Sequence, residues 1–210
     1  MSVHNEIAFE TAIEEHLITH GGYIKGNPKD FSAEYALDAR TFIAFLKESQ
    51  PKSWDKLHKI HGDSIEDKLI NRLFKELDNR GTLDVLRNGI TDHGVSFSLA
   101  YFKPVSSLNP ESERLYNLNR LTVTRQVEYS KKNKNTLDMV LSINGLPVAT
   151  VELKNQFTGQ TVLNSMKQYK QDRDPNELLF KFKKRALIHF AVDTDEVYMT
   201  TKLAGKDTKF

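Results

Sequence analysis

Asp138, Glu152 and Lys154 sit in a stretch that otherwise reads as apolar strand, NTLDMVLSINGLPVATVELKN, from Asn135 to Asn155. Charges among Val, Leu and Ile cost several kcal/mol unless they are paired or bound to an ion. Two converging carboxylates form a hard oxygen site suited to Mg²⁺. A protonated lysine beside them is not a ligand, but it can orient or activate an attacking water and neutralise charge on a phosphate. These are the groups that metal-dependent phosphodiester hydrolysis needs. An E-x-K triplet alone is a weak signal. A second one, Glu66-Asp67-Lys68, lies in a helical context, where side chains two apart point ~200° from each other and cannot share a site. The competing reading of the three charges is a structural ion pair at a sheet edge.

Convergence depends on strand register. Residues two apart on a strand share a face, so Glu152 and Lys154 point the same way. Asn144-Gly145 reads as a tight turn. A plain two-residue turn pairs Ile143 with Leu146, which sets Asp138 opposite Val151 and puts the two acids on opposite faces. Their convergence therefore predicts one extra residue, in a three-residue loop or a bulge. Pro147, which cannot donate to a ladder, marks the place for it.

The surrounding elements follow from periodicity. Residues 5–20 read as an amphipathic helix with Phe9, Ala12, Ile13 and Leu17 on one stripe, ended by Gly21-Gly22. A charged helical insertion over about residues 30–80 contains predicted helices at 33–47 and 64–79, with Ser64 as a cap and Gly81 as a stop. Residues 95–101, 121–129, 185–193 and 196–201 read as strands, and 158–172 as a helix with Val162, Met166 and Tyr169 on one face. The catalytic sheet and its helix thus occupy about residues 95–201 of a single domain spanning 1–210. The predicted class is α/β, a mixed sheet flanked by helices.

Composition bounds the rest. With 39% hydrophobic residues in 210, the chain can bury a core. A net charge of only +2 gives no partner by itself, so any polyanion site must come from local clustering. The absence of cysteine excludes disulfides, thiolate metal sites and a cysteine nucleophile, and fits a reducing cytoplasm. The acidic N-terminal stretch is not a signal peptide, and no apolar run approaches the ~18 residues of a membrane span.

The blocks RGTLDVLRNGITDHGV, LAYFKP, NRLTVTRQVEYS, NGLPVATVELKNQFTGQTV, QYKQDRDP and HFAVDTDEVYMTT resemble the N-terminal region of the restriction (HsdR) subunit of type I restriction-modification enzymes. The D-x₁₃-E-L-K pattern is similar to the PD-(D/E)xK nuclease core. The resemblance implies a metal-dependent endonuclease domain that cuts double-stranded DNA without its own sequence specificity. It implies Asp138, Glu152 and the Leu153 carbonyl as Mg²⁺ ligands and Lys154 as the catalytic lysine. In related nucleases a glutamate on the first core helix joins the site; Glu10 is the best match and Glu6 the second. It also implies methylation and specificity subunits as partners, and ATP-driven motor domains in the full-length subunit. No phosphate-binding G-x-x-x-x-G-K-[ST] loop occurs here, so ATP use is not expected of this chain. The family's Q-x-x-x-Y motif is altered: Tyr169 fits the tyrosine, Ser165 stands where the glutamine belongs, and Gln168 directly precedes the tyrosine. The alternative is a non-catalytic module that docks on DNA or on partner subunits and keeps a degenerate nuclease site.

Lysines 131, 132 and 134 form a basic turn before the central stretch, and Lys181, Lys183, Lys184 and Arg185 a second cluster; Arg120 and Arg125 add charge to a strand. Such clusters are candidate phosphate contacts. His16 with His20, and His58 with His61, read as surface histidines. Neither a serine-hydrolase elbow nor a dinucleotide fingerprint is present.

Overall fold

The computed structural model describes residues 2–105, 108–156 and 159–210 of the chain, and side chains of the first helix from Ile7 onward. Glu6 as a side chain and the predicted helix start at Thr158 therefore lie outside the described residues. The first helix, α1 (Ser2–His20), ends at Gly21 and leads into a short strand, β1 (Ile24–Lys25). Next come β2 (Phe31–Ser32) and β3 (Leu37–Asp38), then helices α2 (Ala39–Ser49), α3 (Pro51–His61), α4 (Ile65–Arg80) and α5 (Thr82–Asn88). A small hairpin, β4 (Ile90–Asp92) with β5 (Val95–Phe97), and α6 (Pro110–Asn117) precede the main strands. These are β6 (Leu121–Glu128), β7 (Thr136–Ile143), β8 (Leu146–Leu153), β9 (Ile188–Val192) and β10 (Val197–Thr200), with α7 (Val162–Gln171) between β8 and β9.

The main sheet has six strands in the order β1-β6-β7-β8-β9-β10. The β1–β6 and β8–β9 pairs are parallel and the others antiparallel, so the sheet is mixed, as the sequence predicted. Among the described residues no helix is long and apolar enough to cross a membrane.

Several predicted boundaries move. The helix expected at 33–47 begins at Ala39, because Asp38 accepts a hydrogen bond from the Thr41 N–H at 2.9 Å and caps it there. Ser64 holds the N-cap position of α4 as expected, but its side chain makes no capping hydrogen bond; its hydroxyl donates to the His61 carbonyl instead. The strand expected at 95–101 covers only 95–97 and pairs with β4, outside the main sheet. The main sheet instead takes its edge from β1, whose two residues were too short to show a periodicity. Helices α3, α5 and α6 were not foreseen; Pro51 and Pro110, each at a first helical position, were the available signals.

Both faces of the sheet are covered. Phe9, Ile13 and Leu17 of α1 pack on Val123, Met139, Val151 and Leu153. Val162 and Tyr169 of α7 pack on the other face with Val127, Leu137 and Ala191. Val123 and Val127 of β6 thus belong to opposite faces, although residues four apart on a regular strand share one. The parity changes at Gln126, which takes a left-handed backbone with φ 51°.

The β7–β8 hairpin carries the extra residue that convergence demands. Asn144 and Gly145, at φ 51° and 83°, form the tight turn, and Ile143 pairs with Leu146. Ser142 pairs with Pro147, but Leu141 pairs with Ala149, so Val148 is bulged out. The register then runs to Met139 with Val151; continued one step it puts Asp138 across from Glu152, and the Leu153 N–H donates to Asp138 Oδ2 at 2.7 Å.

The helical insertion docks on this turn. The Asp38 N–H donates to the Gly145 carbonyl at 2.9 Å, and Leu146 belongs to the core of α2, α3 and α4. A Cβ on Gly145 would lie 2.2 Å from the Asp38 carbonyl oxygen and 2.8 Å from the Phe42 nitrogen. Gly145→Ala is therefore expected to destabilise the domain by about 1–3 kcal/mol or more, strain and clash together. Gly22→Ala, also at positive φ (70°) but with nothing within 4 Å, should cost less. Urea denaturation of the two variants checks the ordering, and an equal loss would contradict it.

Candidate active site

The site forms where β7 and β8 run out past the bulge. Glu152 is fully buried, and its Oε1 accepts a hydrogen bond from Arg173 Nε at 2.6 Å. Its other oxygen, Oε2, has no hydrogen-bond partner among the described residues. Asp138 accepts from the Leu153 backbone N–H at 2.7 Å, which ties the two strands together at the acids. The Lys154 N–H donates to the Val192 carbonyl on β9 at 2.9 Å. The Leu153 carbonyl belongs to the same peptide and points the opposite way, toward β7 and Asp138. Lys154 itself is nine-tenths buried at the strand end, and its charge lowers the pKa of Glu152.

Burial pushes the Glu152 carboxyl up, and the charge of Asp138 adds to this, against the pull of Arg173 and Lys154; the result is a pKa of about 8. Arg173 shows the reciprocal effect. Burial alone would lower its pKa, but the Glu152 carboxylate more than offsets that and keeps the guanidinium protonated. Arg173 also donates to the Thr136 carbonyl at 2.9 Å and to the Tyr129 hydroxyl at 3.3 Å. A buried acid next to another acid, with one oxygen left over, is a place where a cation is favoured.

Asp138 opens into a cleft of about 590 Å³ that Lys134, Thr136, Gln168, Asp172 and Arg173 also line, with Glu152 buried behind Arg173. Gln168 lies at this cleft with its Oε1 buried and without a hydrogen-bond partner among the described residues. Tyr169 is fully buried behind it, its hydroxyl 2.9 Å from Thr150 Oγ1, which is 2.8 Å from His189 Nδ1. Burial holds the Tyr169 hydroxyl neutral and lowers His189 to about 4. Gln168 thus faces the cleft while Tyr169 braces the helix on the sheet.

Glu10 approaches from the α1 face. Its Oε2 accepts from Arg125 Nη2 at 2.8 Å and its Oε1 from Gln126 Nε2 at 3.0 Å. Burial raises its pKa, and Asp138 is near enough to raise it further against the Arg125 hydrogen bond. Both oxygens are engaged at β6, two strands away from the β8 strand that carries Glu152.

The basic clusters divide. Lys134 stands at the mouth of the cleft. Lys131 pairs with Glu34 at 3.7 Å, and Lys132 with Asp174 at 3.3 Å, both on exposed surface. Arg185, taken from the sequence as a candidate phosphate contact, is fully buried; it donates to the Tyr35 carbonyl and to Asp78, each at 3.0 Å. Arg125 is likewise held by Glu10, and Arg120 by Glu48. Arg173 and Gln126 were missed in the sequence; the signal available was that Arg173 falls inside the QYKQDRDP block and Gln126 inside NRLTVTRQVEYS.

A mixed α/β domain with two carboxylates and a lysine gathered at the end of a bulged hairpin is the class that fold and site define together. The chain belongs to the family described as type I restriction enzyme R protein N terminus (HSDR_N), which it matches over residues 4–208. No curated protein and no solved structure matches it.

The Glu152–Arg173 pair gives a pH dependence of stability. The folded chain binds a proton at Glu152 up to about pH 8, whereas the ordinary carboxyl releases it near 4.5. Between these values the folded state holds the extra proton, so stability falls as pH rises across the window. Arg173→Met removes the group that restrains this shift. It should extend the fall beyond pH 8 and cost about 3–5 kcal/mol at the alkaline end. Urea denaturation from about pH 5 to about pH 9 reads both effects; identical pH profiles for the two proteins would contradict the assignment.

Proposed function

We propose that this chain is a metal-dependent DNA endonuclease domain with a PD-(D/E)xK-type core, acting as the cutting part of a type I restriction enzyme R subunit. The observation that carries the proposal is the convergence of Asp138 and Glu152 across the bulged hairpin, with Glu152 Oε2 buried and unpartnered among the described residues. The residues present fit a Mg²⁺ ion: Asp138, Glu152 and the Leu153 carbonyl are oxygen donors on one side of the strand pair. Bound there, the cation would supply Lewis-acid stabilisation of the phosphoryl oxygens and would make an attacking water more acidic.

The chain's own groups do the rest. Lys154 would orient and activate the attacking water and offset negative charge on the phosphate as the P–O3′ bond breaks. Arg173 would hold Glu152 in place and take over the balance of its charge. Gln168 and Lys134 would line the path of the DNA backbone, with Lys131 and Lys132 adding salt-dependent attraction further out. Glu10 would tune Asp138 through its charge, and would ligate only after leaving Arg125 and Gln126. Cutting would be without sequence preference of its own, as the family resemblance implies, and recognition would fall to the specificity and methylation subunits. The setting for such a reaction is the cytoplasm.

Calorimetric titration with Mn²⁺ and Mg²⁺ tests the site. Wild-type protein is expected to bind, and Asp138→Ala to lose binding. Because a proton competes for Glu152 below about pH 8, affinity should rise with pH up to that value, by roughly tenfold per unit at most. Equal binding by both proteins would remove Asp138 as a ligand.

Nicking of supercoiled plasmid in Mn²⁺ tests the chemistry. Lys154→Ala should keep cation binding and lose about 100-fold or more in rate. Cation-independent DNA binding with no nicking by wild type would instead identify a docking module.

A further inference from the structure

A second group of ligand-type side chains lies between the helical insertion and the small hairpin that follows it. His61 is the last residue of α3, Asp92 ends β4, and His93 opens the two-residue turn into β5. His61 Nε2 is 2.6 Å from Asp92 Oδ2, and His93 Nδ1 is 3.2 Å from the same oxygen. One donor atom from each of the three residues falls within 4.8 Å of the others. Read from the sequence as a surface histidine, His61 in fact has a side chain only 10% exposed, and Asp92 only 14%. His93 is 58% exposed, so the group is open on one side.

The chemistry of this group differs from that of the carboxylate site. Two imidazoles and one carboxylate suit a borderline cation such as Zn²⁺ rather than Mg²⁺. Both imidazoles lie within hydrogen-bond distance of one Asp92 carboxylate oxygen, so the three groups already share a focus. A cation between His61 Nε2, His93 Nδ1 and Asp92 Oδ2 would take the place of these two contacts. Three protein ligands with an open fourth position is the arrangement of an accessible zinc site. Sequence separation supports a role in holding the fold. The hairpin is three residues per strand, too short to be stable alone, and His61 reaches it from 31 residues away.

We propose that His61, Asp92 and His93 form a Zn²⁺ site that clamps the β4–β5 turn to the end of α3. The site is independent of the carboxylates on β7 and β8.

Equilibrium dialysis against Zn²⁺ in the Asp138→Asn background tests it, since that substitution takes away a ligand of the other candidate site. One Zn²⁺ per chain is expected. Adding His93→Asn, which suits the left-handed backbone at φ 45°, should weaken binding by more than the ~10–100-fold that loss of an outer partner costs. His61→Gln should do the same, and Co²⁺ in place of Zn²⁺ should give visible absorption bands that His93→Asn abolishes. Zn²⁺ should also raise the melting temperature of the Asp138→Asn protein and leave that of the His93→Asn double variant unchanged. Because His93 is exposed, its variant keeps the test readable if His61→Gln does not fold. Failure to bind Zn²⁺ in the Asp138→Asn protein overturns the proposal. So does undiminished binding by the His93→Asn variant, as a His16–His20 pair on α1 would give. Neither result bears on whether Asp138 and Glu152 bind Mn²⁺.

Discussion

The extra residue at Val148 decides which side of the sheet every later residue of β8 presents. With it, Val151 and Leu153 join Val123 and Met139 beneath α1, and Glu152 turns toward α7 and Arg173. Without it, a one-residue slip would send the two apolar side chains to the polar cleft and the acid into the α1 core. Burying each of those side chains is worth about 1.5–3 kcal/mol. The register that assembles the carboxylates is thus the register that the apolar core already selects. Site geometry comes with core stability rather than against it.

Charge placement follows from the same pairing. Glu152 and Glu10 approach the β6–β7–β8 region from opposite faces, and each is met by an arginine, Arg173 and Arg125. Gln126 joins the two sides: its Nε2 donates to Glu10, and its Oε1 accepts from Thr136 on the neighbouring strand. Its left-handed backbone costs of order 1–3 kcal/mol, which the surrounding sheet must over-determine. The strain has a visible use. It lets Arg125 face α1 while Val127 and Tyr129 pack under α7, and Tyr129 then supports Arg173.

The central hairpin was legible because its constraints are local. Asn-Gly names the turn, alternation names the strands, and charges in apolar company demand that the acids meet; a bulge beside Pro147 follows from parity alone. The helix after β8 and the last two strands were legible for the same reason. What was not legible depends on long-range partners. Arg173 looks like any loop arginine until the fold sets it 2.6 Å from Glu152. Lys184 and Arg185 read as a basic patch, yet Asp78, 107 residues away from Arg185, draws the latter into the interior. Short elements such as β1 and β4 carry too few residues for a period to register.

The insertion is fastened at the far end of the hairpin from the acids. Asn144 accepts from the Arg120 N–H at 2.7 Å and donates to the Leu99 carbonyl at 2.9 Å, while Gly145 receives the Asp38 N–H. A second attachment runs from Thr82 to the carbonyls of Lys183 and Arg185, just before β9. Both attachments grip the starts of β8 and β9, which run parallel. Glu152 and Lys154 lie at the other end of β8, roughly 20 Å along the strand at about 3.3 Å per residue. The insertion can therefore set the position of the strands without covering the cleft. Movements within it can reach the carboxylates through the backbone ladder of β7, β8 and β9, whose register the bulge fixes, and through Ala36, which packs in one cluster with Tyr129 beside Arg173.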